Sequence, residues 1–352
     1  MPHVGSSLAD TTHVAVKSRS HAVFPICHLM LRRFAGSFLT LAILSLSARA
    51  QSLADAKTCD KAIGGVAAAK ASIQHLAASR PVSPLTHFAA GCASVMASQW
   101  DSASAHFDSA AKGNPRSSAA FLWVGNMSGQ QLRMATTTPL KVKLAPAIRE
   151  AYTKAIALDG SNIDAREGLM QFLIEAPAPL GGDKVKAAEQ ATAIGRLNPF
   201  RGLSAQIAVA SSTNDRVNVE KLLLQATTQF PDSVLGWANL SAMQADDHRP
   251  AEAFATITRW QARRTHPMFA LFSIGRTAAV TGEQMDRGVQ ALQQYLRGQR
   301  NVNDPPLANA HYRLAQIYER QHKVTDAKTE YQFAVKLNPG LRVAQLSLER
   351  LR

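Results

Sequence analysis

The sequence predicts an all-α protein, a right-handed α-solenoid of stacked helix-turn-helix repeats. Three observations carry that expectation. The 352 residues are 46% apolar but only 6% aromatic, with alanine in heavy use; alanine is the best helix former and lets neighbouring helices approach closely. Small residues, large residues and breakers recur with a period of about 34 residues. Alternating β-branched runs joined by Asn-Gly turns, the mark of hairpins, do not occur. The apolar fraction excludes a disordered chain, and 20 Gly with 16 Pro are too few for a low-complexity one.

Residues 1–29 are read as a mis-assigned extension ahead of a start at Met30. Residues 30–50 are read as a signal peptide. Arg32 and Arg33 precede an apolar run from Phe34 to Ser47, and Ala48-Arg49-Ala50 follows. A basic start, a short apolar stretch and a small-x-small end are the parts of a secretory signal. The run of about 14 residues is short for roughly 30 Å of hydrocarbon. The expected compartment is therefore outside the cytoplasm, the periplasm first. Removing these fifty residues takes five basic groups and one acid with them, so the formal charge falls from +14 to +10.

Residues 51–83 are expected to be an N-terminal helical segment. It carries Cys59, and Cys92 follows. Export permits a disulfide between the two. Two antiparallel helices turning near Pro81 would leave the cysteines roughly 16 Å apart along the axis, too far to bridge. A chain break at Gly64-Gly65 would bring Cys59 back. The alternative is two buried thiols behaving as small hydrophobes.

Residues 84–339 are expected to hold about seven repeats. The clearest is the last. Leu314-Ala315 is followed by Tyr318, then Ala327, Tyr331, Ala334 and Pro339. Those spacings match the tetratricopeptide (TPR) template over about 34 residues, with His311 at the template's Trp position. Small residues at Ala315 and Ala327 let two helices cross closely, large ones fill the space beside them, and Pro339 ends the second helix. Weaker copies share the register: Gly91, Ala103, Phe107 and Pro115; Tyr152, Ala155 and Gly160; Ala187, Ala191 and Pro199; Ala226 and Pro231; Trp237, Leu240 and Phe254; Gly275 and Gly282. Residues 340–352 read as a capping helix. Two insertions are expected, at 129–145 inside the second repeat and at 176–183 after the first helix of the third. Insertions in such arrays map to loops on one face, which often bind; the second, APAPLGGD, also reads simply as a rigid turn.

Residues 51–352 resemble an exported bacterial tetratricopeptide-repeat family. The narrower likeness lies in residues 119–202, where FLWVGNMSGQQ leads to a QFLIEAPAPLGG segment. Phe172, Pro177, Gly181 and Gly182 match a QFYLQAPGIxGG segment of similar proteins, while Ala178-Pro179 departs from the Gly usual there. The resemblance implies architecture and compartment rather than an activity.

Catalytic signatures are missing. The sequence has no H-E-x-x-H, no G-x-S-x-G, no phosphate-binding glycine motif and no C-x-x-C, so zincin, α/β-hydrolase, nucleotide and thiol-redox chemistry are not suggested. No cofactor or metal is expected. An enzyme would need a triad assembled from distant residues. The expected function is capture of a protein or peptide by the concave groove that the first helices line. The repeat register places Asn126, Arg276, Asn309, Tyr312, Gln316 and Glu319 there. Leu122, Phe269 and Phe272 fall on the same positions, the two Phe better suited to packing. An amide such as Asn126 or Asn309 can both donate to and accept from a peptide backbone. A second reading rests on charge. Lys141, Lys143, Arg149 and Lys154, with Lys184 and Lys186, form one basic set, and Arg259, Arg263 and Arg264 with Arg276 form another. Such a face could attract an anionic envelope polymer or a membrane surface, or be a solvated surface that keeps the protein soluble. Nucleic acid is not expected, because no aromatic platform interleaves with these residues.

Overall fold

A computed structural model of the chain describes residues 57–351. The extension at 1–29 and the signal segment at 30–50 lie outside the described residues. Seventeen helices and no strand make up the described part. They fall into two compact units, residues 57–219 and 220–351.

The first unit begins with α1 (57–63) and α2 (Ala67–Ala78). Gly64 and Gly65 separate them, Gly65 at a φ of +92°, a backbone state that residues with a Cβ rarely adopt. This break folds α1 back. Cys59 therefore meets Cys92 in a disulfide with the Cα atoms 5.7 Å apart. The straight-helix separation of 16 Å does not apply, and the cysteines are not two separate thiols.

Three helix pairs follow: α3 (Pro84–Met96) with α4 (Trp100–Gly113), α5 (Ser118–Met134) with α6 (Thr138–Leu158), and α7 (Ile163–Glu175) with α8 (Lys184–Leu197). Then come α9 (Pro199–Ser212) and α10 (Arg216–Gln229), the latter crossing the division between units. Start signals are local. Ser83 and Thr86 form a reciprocal capping box ahead of α3, with Pro84 at its first turn. Asn198 ends α8 and caps α9, its Oδ1 accepting from the Arg201 amide at 3.0 Å. Neighbouring helices cross where one of them lacks a side chain. A Cβ on Gly91 would lie 2.8 Å from the Phe107 ring, and Cβ atoms on Gly125 and Gly168 would lie 2.7 and 2.5 Å from the Tyr152 ring. One polar chain ties the second and third pairs together. Asn162 caps α7 and its Nδ2 donates to Ser118 Oγ at 2.9 Å, which donates to the Ala155 carbonyl at 2.8 Å.

The insertion expected at 129–145 forms no long loop. Its residues complete α5, bridge at 135–137 and open α6. Pro139 sits in the first turn of α6, where its missing N–H costs nothing. Residues 176–183 do form a turn: a short 3₁₀ segment at Ala178–Leu180, Gly181 at φ +97°, and Asp183 capping α8.

The second unit holds α11 (Val234–Asp246) with α12 (Pro250–Ala262), α13 (Pro267–Thr281) with α14 (Met285–Arg297), and α15 (Leu307–Arg320) with α16 (Val324–Leu337), closed by α17 (Arg342–Arg350). Consecutive pairs stack as in a solenoid. First helices pack on first helices, α11 on α13 and α13 on α15. Ala315, Ala327, Tyr331 and Ala334 meet in one buried cluster with Ala344 of α17.

Candidate functional site

The face of the second unit formed by α11, α13 and α15 gathers polar side chains from successive turns. On α15, Asn309, Tyr312, Arg313 and Gln316 are all half-buried. Their spacing of three and four residues puts them on one side of the helix. The Gln316 amide bridges two of them: its Oε1 accepts from Arg313 Nη1 at 2.9 Å and its Nε2 donates to the Tyr312 hydroxyl at 3.0 Å. The Arg313 guanidinium stands 5.2 Å from the Tyr312 ring centroid, within cation–π range. Among the described residues Asn309's side-chain amide has no hydrogen bond within the protein.

Arg276 of α13 joins this group. Its Nη2 donates to both oxygens of Asp246, at 3.0 and 2.9 Å, and its Nη1 to the Ala242 carbonyl at 3.3 Å. Arg313 has no such carboxylate among the described residues. Burial, then the positive charge of Arg276, pull its guanidinium down to about 10, against the smaller pull of Tyr312, Asp246 and Tyr331. An arginine held this far below its usual range is a charge the fold has not neutralised.

The other sequence-predicted residues are engaged within the fold. Asn126 accepts from the Tyr152 hydroxyl at 2.9 Å, so it orients a core tyrosine. Glu319 bonds Arg350 at 2.6 Å and accepts from the Tyr331 hydroxyl at 2.9 Å. It locks α15 to α16 and α17. Leu122 and Phe272 are buried, and Phe269 packs 5.9 Å from Trp260.

The basic residues are dispersed. Lys143, Arg149 and Lys154 are exposed, Lys141 is half-buried, and Lys154 lies over the Phe121 ring. Lys186 pairs with Asp183 at 3.2 Å, and Lys184 donates to the Ile174 carbonyl. Arg259 donates to Thr256 at 3.2 Å, and Arg263 approaches Asp232 at 3.8 Å. In the first unit Arg201 is fully paired, bonding Glu167 at 2.7 and 2.5 Å and Asp164 at 2.5 Å. Burial lowers its affinity for the proton, but Glu167 and then Asp164 outweigh that and raise it.

No group of three His, Cys, Asp or Glu side chains among the described residues is arranged to hold a metal ion. No helix among them is long and apolar enough to cross a membrane.

Solved structures share this architecture. The chain is similar to a tetratricopeptide repeat protein from Parabacteroides merdae, with a TM-score of 0.53 and 14% identity over 76% of this chain and 98% of that one. It also matches the human IFIT1 dimer with PPP-AAAA (TM-score 0.47, 16% identity, 82% of this chain and 70% of that one). A third match is the Cut9–Hcn1 hetero-tetramer of APC/C (TM-score 0.45, 14% identity, 78% and 49%). No protein-family model and no curated protein matches the sequence. The fold is that of the tetratricopeptide repeat.

Proposed function

We propose that this protein is a non-catalytic TPR scaffold, exported to the periplasm, that captures a protein or peptide partner along the face lined by the first helices of its repeats. The observation that carries this reading is the polar group on α13 and α15. Tyr312, Gln316 and Arg313 hold one another in place, while Asn309 keeps donors and an acceptor unused. Pre-positioned polar groups of this kind suit an extended peptide backbone, because little side-chain freedom remains to be lost on binding. Export is supported by the basic-apolar-small segment at 32–50 and by the Cys59–Cys92 disulfide, since such bonds persist in oxidising compartments. The basic-face reading receives less support. Arg263, Arg276 and Lys186 already face carboxylates.

A photo-crosslinking residue at position 309, with a matched one at exposed Val343 of α17 as control, tests the binding face in the producing cell. A discrete protein adduct at 309 but not at 343, surviving physiological salt, is expected. Equal labelling at both sites refutes the groove. Retention on an anionic polymer that collapses between low and physiological salt favours the basic-face alternative instead. Fractionation of tagged full-length chain tests export; recovery with cytoplasmic markers refutes it.

A further inference from the structure

We propose that His87 of α3 and His106 of α4 form a two-imidazole seat for a divalent transition-metal ion of the zinc type, four-coordinate, with two water molecules completing its shell. The pair lies in the first unit, so the inference goes beyond the groove reading and stands apart from it.

The two side chains meet across the helix pair. Nineteen positions separate them in sequence, so only the packing of α3 on α4 brings them together. Their Nδ1 atoms are 3.3 Å apart and their ring centroids 5.6 Å apart. The nitrogens therefore lie close to the line joining the ring centres, each aimed at the other ring. Two neutral imidazoles in that arrangement hold one proton between them, one donating and the other accepting. Among the described residues neither side chain has another hydrogen-bond or ionic partner. Other histidines of the chain are held differently: His311 meets Glu330 at 2.6 Å, and His266 meets the Asp232 carbonyl at 3.0 Å. At His87 and His106, two side chains of the commonest metal-ligating kind face only each other.

The separation is the one a zinc ion needs. Two Zn–N bonds of about 2.0–2.1 Å opening at a tetrahedral angle set their nitrogens about 3.3 Å apart, whereas the right angle of a square-planar or octahedral ion sets them about 2.9 Å apart. No helix has to move. Each ring turns by about 35° to swing its lone pair off the shared line and onto the ion. The proton that lay between the nitrogens passes through water to Nε2 of the ring that carried it. Both rings then bind as neutral imidazoles, the form that ligates a metal, and no net proton is released. Both residues are half-buried, so the two remaining positions open on solvent.

The scaffold beneath the pair is rigid. The residue after each histidine is a core aromatic. Phe88 and Phe107 are buried and pack edge to face with centroids 5.4 Å apart, and Phe107 stacks on Trp123 at 5.0 Å. The Ser83–Thr86 capping box fixes the start of α3 just before His87, and the Cys59–Cys92 disulfide anchors the same helix just after it. Ligands whose backbone is held this way lose little freedom on binding.

The test titrates untagged full-length chain, freed of metal, with Zn²⁺ in a non-chelating buffer, read by calorimetry and thermal melts. One ion per chain and a raised melting temperature are expected, since an ion that binds only the folded state stabilises it by mass action. His87→Ala and His106→Ala should each weaken binding by at least the roughly 10- to 100-fold that loss of a mere outer partner of a metal ligand costs. His322→Asn, at an exposed histidine whose φ of +60° asparagine tolerates, should bind as wild type does. Absence of a zinc-dependent rise in the wild type overturns the seat. So does equal binding by wild type and all variants, or a loss spread evenly over the three, the mark of scattered surface binding. If an alanine variant does not melt cooperatively without metal, nitrogen NMR of the wild type decides. Zinc should move the Nδ1 signals of His87 and His106 and spare the other histidines; no movement, or coordination through Nε2, refutes the seat. Cobalt(II) in place of zinc should give the intense visible bands of a four-coordinate ion, and the pale spectrum of a six-coordinate one refutes the tetrahedral geometry.

Discussion

Gly275→Ala is the sharpest probe of how these helices are held together. Gly275 lies inside α13, where alanine should be the better residue by about 1 kcal/mol on helix propensity alone. The crossing reverses that sign. A Cβ there would sit 2.2 Å from Leu292 Cγ and 2.5 and 2.6 Å from its two methyls. Carbon atoms rest at about 3.5–4.0 Å, so more than 1 Å must be found. Leu292 is 0% exposed and lies in a cluster with Phe272, Tyr295, Leu314 and Ile317, so it has nowhere to withdraw. Overpacking costs about 1–3 kcal/mol; with three contacts violated we take the upper end, leaving a net loss of about 2 kcal/mol. For a unit of this size that is a fall of roughly 4–8 °C in melting temperature. Gly129→Ala in α5 is the control. Its Cβ would meet only the tip of Arg133, at 3.9 Å, so propensity should win and the protein gain about 0.5–1 kcal/mol. Thermal melts followed by circular dichroism read both. In Gly275→Ala with Leu292→Ala, the new methyl should fill part of the cavity, so the double loss should be smaller than the sum. An unchanged or raised melting temperature for Gly275→Ala, or strict additivity with Leu292→Ala, refutes the close crossing.

Other regions give their own tests. Replacing Cys59 and Cys92 with Ser opens a loop spanning 33 residues of separation and should cost the first unit about 3–4 kcal/mol, an effect that reductant reproduces in the wild type and leaves absent in the double variant. Asn162→Ala removes the α7 cap and the bond to Ser118, and urea titration should show a loss of about 1–2 kcal/mol. Tyr152 is held up at about 12 by burial, with Arg133 working against it. Its neutral form is therefore favoured by folding: that stability is full below pH 10 and is lost as the pH rises through about 12. Tyr152→Phe should flatten the stability profile between those values, and an unchanged alkaline slope would count against a buried phenol.

Much of the fold was legible because its determinants are local and periodic. Leu314, Ala315, Tyr318, Ala327 and Tyr331 announce a helix crossing by size alone, and α15 and α16 supply it. The second repeat was harder. Residues 129–145 read as a lengthened link, yet Pro139 stands in the first turn of α6, where a proline starts a helix as readily as it stops one. Whether Cys59 reached Cys92 turned on a single dihedral, that of Gly65. On the candidate face, register puts Asn309, Tyr312 and Gln316 on one side of α15 but cannot show which of their neighbours are occupied. Glu319 looks free in its own helix; Arg350, 31 positions later, takes it. Asn126 looks free until Tyr152 arrives from the next helix.

Arg313 escaped the sequence reading for a related reason. Its character is set by what three different helices fail to place beside it. The same chain shows the ordinary solution repeatedly. Arg201 has Asp164 and Glu167, Arg249 has Glu220 and Glu252, Arg276 has Asp246, and Arg350 has Glu319. At each of these the fold brings an acid from elsewhere to a guanidinium. At Arg313 it brings a tyrosine ring, an amide and another arginine, with an Asp246 carboxylate that is already bonded to that arginine. Tyr312 and Gln316 can hold the guanidinium in orientation, but neither can cancel its charge. Orientation without neutralisation adds little to folding stability.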